Sequence, residues 1–84
     1  IDMEQNMEIP RRFAGQEISK EHGSPYDRGS ADSWYSRPAE PHWYPMGSYN
    51  GDPIEAAEMS EFEIFCYRLG FSENEADPAA RKVW

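Results

Sequence analysis

Residues 25–37 read PYDRGSADSWYSR, and this stretch is read as the first of two helices. Ser24 and Pro25 form a helix start. A serine hydroxyl can accept an orphan backbone N–H, and proline suits the first helical position because its missing N–H would have been unpaired there anyway. Asp27 falls in the first turn, where a negative charge suits the positive end of the helix dipole. On a helical projection Tyr26, Gly29, Ser30 and Ser33 share one face, and Ala31, Trp34 and Tyr35 share another. A glycine in mid-helix costs about 1 kcal/mol against alanine, so Gly29 needs a reason, and close approach of a second helix supplies one. Pro38 closes the helix, because its ring disfavours helical geometry at Arg37.

The second helix is read over 60–71 or slightly beyond. Ser60 and Glu63 have the spacing of a capping box, in which each side chain satisfies the other's backbone N–H. Phe62, Phe65, Cys66 and Leu69 then fall on one stripe, and Ile64, Tyr67 and Phe71 on another nearly opposite. A helix apolar on two sides is sandwiched, with one stripe on its own core and the other free for a partner. The Gly29 face, low and lined by small residues, is expected to receive the bulky Phe62/Phe65/Cys66/Leu69 stripe as ridge into groove. Tyr26-x-x-Gly29 and Tyr67-x-x-Gly70 echo each other, which suggests a common use.

Between the helices, 38–59 reads as an irregular connection. Pro38, Pro41 and Pro45 space an extended run that carries His42, Trp43 and Tyr44. Arg37-Pro38-Ala39-Glu40-Pro41 contains a PxxP pattern, read here as structural, with the rings laid over the helices. Asn50-Gly51 signals a tight turn, and the prolines on either side limit it to a short hairpin. Before the first helix, residues 1–24 hold no sustained period and read as a flexible arm, of which residues 1–22 are expected to be removable without loss of the fold, with Ile9 to Phe13 as its docking segment. Ile1 and Asp2 precede a Met and read as a cloning remnant, with the natural start at Met3 or Met7. The expectation is thus a small, mostly helical α+β domain over 25–84 behind an arm over 1–24.

The chain has 84 residues, sixteen acidic against eight basic, for a formal charge of −8. Between Arg37 and Arg68 there is no Lys or Arg, while Glu40, Asp52, Glu55, Glu58, Glu61 and Glu63 all lie there. Such a surface repels phosphate backbones and attracts basic ones, which argues against direct nucleic-acid binding. It is read first as a solvated face. It is also compatible with a basic partner protein or with mimicry of DNA. No run approaches the roughly 20 apolar residues of a membrane span. The single Cys66 excludes an internal disulfide and fits a reducing cytoplasm.

No catalytic residue, cofactor or metal is expected. There is no nucleophile elbow, phosphate-binding glycine loop or dinucleotide fingerprint. His22, His42 and Cys66 lack metal-ligand spacing, and Cys66 belongs to an apolar stripe. Asp27 and Asp32 lie too far apart around the helix to work as an acid–base pair. The residues that stand out are Trp34, Tyr35, Arg37, Trp43 and Tyr44. Large, stiff side chains of these types make binding hot spots, so the five are read as a partner-binding patch; the bland alternative is that the rings close the core.

The runs YDRGSADSWYSRPAEPHWYP, YNG and CYRLGFSENEA…RKVW resemble small bacteriophage and prophage proteins. Those read YDRGSADxYYGR, then a Pro-His segment, then Tyr-x-x-Gly-Tyr and a Lys-x-Trp end. The resemblance covers about residues 25–84, leaves the arm unmatched, and implies a genetic context without an activity. A fainter similarity, to ribosome modulation factor, rests on the aromatic-x-x-Gly helices. That family is basic, and a charge of −8 opposes its ribosome binding. The functional expectation is a non-catalytic module in the host cytoplasm that binds a host or phage protein.

Overall fold

The computed structural model describes residues 9–47 and 51–82. Two helices, α1 (Pro25–Trp34) and α2 (Glu61–Glu75), lie against each other, with a two-stranded antiparallel sheet of β1 (His42–Trp43) and β2 (Ile54–Glu55) beside them. In the sheet His42 faces Glu55 and Trp43 faces Ile54. Short 3-10 turns occupy Arg11–Phe13 and Ala56–Glu58. The small, mostly helical α+β reading holds. The turn at Asn50 lies outside the described residues.

Both helix starts follow the chemistry of their caps. The Ser24 hydroxyl accepts from the Asp27 N–H at 3.2 Å, and the Asp27 carboxylate accepts from the Gly23 N–H at 2.9 Å. Ser60 and Glu63 complete the capping box, at 3.1 Å and 2.8 Å. At its far end α1 stops three residues short of the Arg37 expected from Pro38. Ser36 turns into left-handed backbone at φ 59°, and the Arg37 N–H closes back on the Asp32 carbonyl at 2.8 Å. The chain has already turned before the proline acts. The second helix runs on past Phe71 to Glu75.

The crossing of the two helices corrects one expectation. Gly29 does face α2, but the groove it meets is the Tyr67–Gly70–Phe71 backbone and not the Phe62/Phe65/Cys66/Leu69 stripe. A Cβ on Gly29 would collide with the Tyr67 carbonyl oxygen and stand 3.0 Å from the Phe71 nitrogen. A Cβ on Gly70 would collide with the Tyr26 carbonyl oxygen and stand 3.2 Å from the Tyr26 Cα. The two Tyr-x-x-Gly repeats therefore interlock reciprocally, each glycine under the other repeat's tyrosine carbonyl. Only a residue without a Cβ lets the backbones approach so closely.

The Phe62/Phe65/Leu69 side of α2 takes its cover from the arm. Phe13, 5% exposed, packs with Phe65 and Leu69, and Ile18, Tyr26 and Phe62 close around them. The Phe13 ring lies 5.2 Å from Phe62, edge-on, and 5.3 Å from Phe65. The docking segment read at Ile9 to Phe13 thus meets the body through Phe13, which speaks against an arm removable without loss of stability. A domain this small has too few aliphatic residues to close its core, so it recruits a ring from outside the helical pair. Residues 1–8 of the arm lie outside the described part.

Candidate functional site

The most constrained group of polar side chains is centred on Asp32, buried at 4% exposure on the α2-facing side of α1. A carboxylate there needs partners, since an unpaired buried charge is costly. The hydroxyl of Tyr67, a residue with 0% exposure, donates to Asp32 Oδ2. The same hydroxyl accepts from the Glu40 N–H at 3.0 Å, so its donor and one acceptor site are both used. Arg37 Nη1 lies 3.4 Å from Asp32 Oδ1, and His42 Nδ1 lies 3.9 Å from Oδ2. His42 Nδ1 is 2.8 Å from the Glu40 carbonyl, an acceptor, which places the proton on Nδ1 in the neutral ring. Burial first, and then the bond to Asp32, pushes the Tyr67 phenol well above its ordinary range. The strap from Pro38 to Tyr44 is thereby pinned to both helices through one buried carboxylate.

Beside Asp32 a depression of 300 Å³ is lined by Arg37, Pro38, Glu40, His42 and Tyr44. Two of the five side chains singled out in the sequence, Arg37 and Tyr44, meet here. The Arg37 guanidinium also sits 4.7 Å from the Tyr35 ring centre, and Trp34, 38% exposed, ends α1 on the same stretch of chain. Tyr44 lies edge-on to His42 at 5.8 Å, with the buried Arg28 guanidinium 5.9 Å from its ring. Trp43 goes elsewhere. It lines a separate cleft with Tyr44, Phe62 and Cys66, and its Nε1 is buried with no hydrogen-bond partner among the described residues. Of the five, Arg37 and Tyr44 line the first depression and Trp43 and Tyr44 the second, while Trp34 and Tyr35 line neither of these two.

A second polar cluster fastens the chain beyond α2. Ser33, fully buried, donates to Glu75 Oε2 at 2.6 Å and accepts from Asn74 Nδ2 at 2.8 Å. Arg81 grips Glu75 with two nitrogens, at 2.9 and 3.1 Å, and the Lys82 N–H reaches the Trp34 carbonyl at 2.8 Å. The Arg81 bond, then that from Ser33, holds the Glu75 carboxyl below the usual carboxylate range.

Asp32 and Tyr67 were missed as a pair. The available signal was helical spacing: Asp32 lies three residues after Gly29, on the face that glycine opens to a neighbour. A carboxylate on a packing face implies a donor opposite it. Cys66 is buried as its stripe suggested, and burial, then the charge of Glu63, raises its thiol to about 11, away from the thiolate a nucleophile needs. Among the described residues no group of three or more His, Cys, Asp or Glu side chains could hold a metal ion, and no helix is long and apolar enough to cross a membrane. The chain matches no protein-family model, no curated protein and no solved structure.

Proposed function

We propose that the chain is a non-catalytic module that binds another protein, and that it does so through the end of α1 and the strap beside it. The observation that carries this reading is the exposed Trp34 next to Arg37, whose guanidinium is stacked on Tyr35. Binding hot spots favour Trp, Tyr and Arg, which give contact area at small entropic cost. Tyr44 adds a ring across the Asp32 depression. The resemblance to phage and prophage proteins suggests a host or phage protein as the partner and the host cytoplasm as the place.

A second reading is DNA mimicry, favoured by Glu40, Asp52, Glu55, Glu58 and Glu61, all of which are exposed. The two readings part in one experiment: capture of a protein from host lysate on immobilised chain, at low and high salt, with variants. For the aromatic module, capture survives salt and is lost in Trp34→Ala. For the mimic, capture is lost in high salt and in Glu55→Lys/Glu58→Lys, while Trp34→Ala keeps it, because screening weakens exposed charge pairs but not ring contacts. A chain that captures nothing at either salt overturns both.

A further inference from the structure

A cleft of 260 Å³ opens between the arm, the strap and the first turns of α2. Three rings, Trp43, Tyr44 and Phe62, line it, and Glu17 and Glu21 stand exposed among its lining residues. We propose that this cleft binds an ammonium group carried on a short alkyl stem, as a free aliphatic amine or a lysine side chain presents it. Rings supply a negative π face to a cation and an apolar wall to its stem, and carboxylates neutralise the charge.

The surroundings favour a cation over an anion. No Lys or Arg lines the cleft, while a third carboxylate, Glu63, does. The two helix N-termini that border it already carry their own negative charge, Asp27 on α1 and Glu61 and Glu63 on α2. One ring of the cleft already attracts a cation of the chain: the Arg28 guanidinium lies 5.9 Å from the Tyr44 ring centre. Trp43 Nε1 is closed off from solvent, so a ligand meets the rest of the ring rather than its N–H. Pockets for drug-sized ligands run from about 300 to 1,000 Å³, so a space of 260 Å³ suits a single unbranched amine. His22 also lines the cleft, and the test is run at mildly alkaline pH.

The test follows the Trp43 indole N–H signal by ¹⁵N NMR while four probes are titrated separately into the full chain: 1,5-diaminopentane, acetyl-Gly-Lys-Gly-amide, 1-pentanol and inorganic phosphate. The proposal expects saturable movement of the Trp43 signal with the amines, and the Trp34 signal unmoved. Glu17→Gln/Glu21→Gln, at exposed positions, should keep the fold and weaken amine binding roughly three- to tenfold at low salt. Tighter binding of the diamine assigns the cleft to a free amine, and tighter binding of the peptide to a protein's lysine. The proposal fails if neither amine moves the signal, if pentanol binds as well, if phosphate binds instead, or if the double variant binds amines unchanged.

Discussion

The two sides of α2 are held by different physics. On one side Phe62, Phe65 and Leu69 meet Phe13 in an apolar contact. On the other, Tyr67 and Gly70 meet α1 backbone against backbone, and the buried Asp32 carboxylate accepts from the Tyr67 hydroxyl. Apolar packing is graded, because a smaller side chain still fills part of the space. A crossing at backbone distance with a satisfied buried carboxylate has no such slack: a Cβ does not fit, and a lost hydroxyl strands two polar groups. The first side can drift in sequence while keeping its volume. The second needs particular residues.

The apolar side should show the largest single loss. Phe13→Ala removes the ring that covers Phe65 and Leu69, and such changes typically cost about 3–5 kcal/mol. Chemical denaturation should show most of the stability gone; a cost below that of a surface change would mean the arm is not part of the core. Next comes Gly29→Ala, which gains helix propensity yet forces the backbones apart. Overpacking typically costs about 1–3 kcal/mol, so a variant as stable as the parent would contradict the crossing. Tyr67→Phe keeps the ring and removes the hydroxyl, leaving Asp32 and the Glu40 N–H each short of a partner. The cost expected for stranded polar groups is about 1–3 kcal/mol.

Alkaline titration sharpens the same contrast. Burial, and then the bond to Glu73, pushes the Tyr26 phenol up to about 12 from an ordinary 10.0, and Tyr67 is displaced in the same direction. A phenol with a raised folded-state value contributes stability that is complete below the unfolded value and lost as pH climbs toward the folded one. The melting temperature should therefore fall as pH rises from 10 toward 12, and Tyr26→Phe should flatten that fall. The smallest effect belongs to Trp34→Ala, whose side chain is partly in water: its stability should stay within about 0.5 kcal/mol of the parent. A loss on the scale of Phe13 would make Trp34 a core residue and remove it from the binding surface.

Much of the fold was legible in the chain because its signals are local. Ser24-Pro25 and Ser60 with Glu63 mark helix starts whose partners lie within three residues. What was not legible depends on distance in space. Ile9 to Phe13 was legible as a docking segment, but not which side chains, more than forty residues further along, its ring would meet. The repeated Tyr-x-x-Gly spacing was visible, yet which stripe of α2 receives Gly29 depends on how the two helices rotate about their axes. In the sequence Asp32 was legible as too far around the helix to pair with Asp27, and only the packing of Tyr67 opposite it reveals the buried junction. The division of Trp43 from Trp34 likewise follows from the path of the strap after Ser36.

The claim that Asp32 and Tyr67 act as one unit is tested most directly by a double-mutant cycle, with Asp32→Ala, Tyr67→Phe and the double variant unfolded in urea. A hydrogen-bonded pair shielded from water predicts that the double variant is less destabilised than the sum of the singles, by about 1–3 kcal/mol. Additivity within about 0.5 kcal/mol would contradict the account.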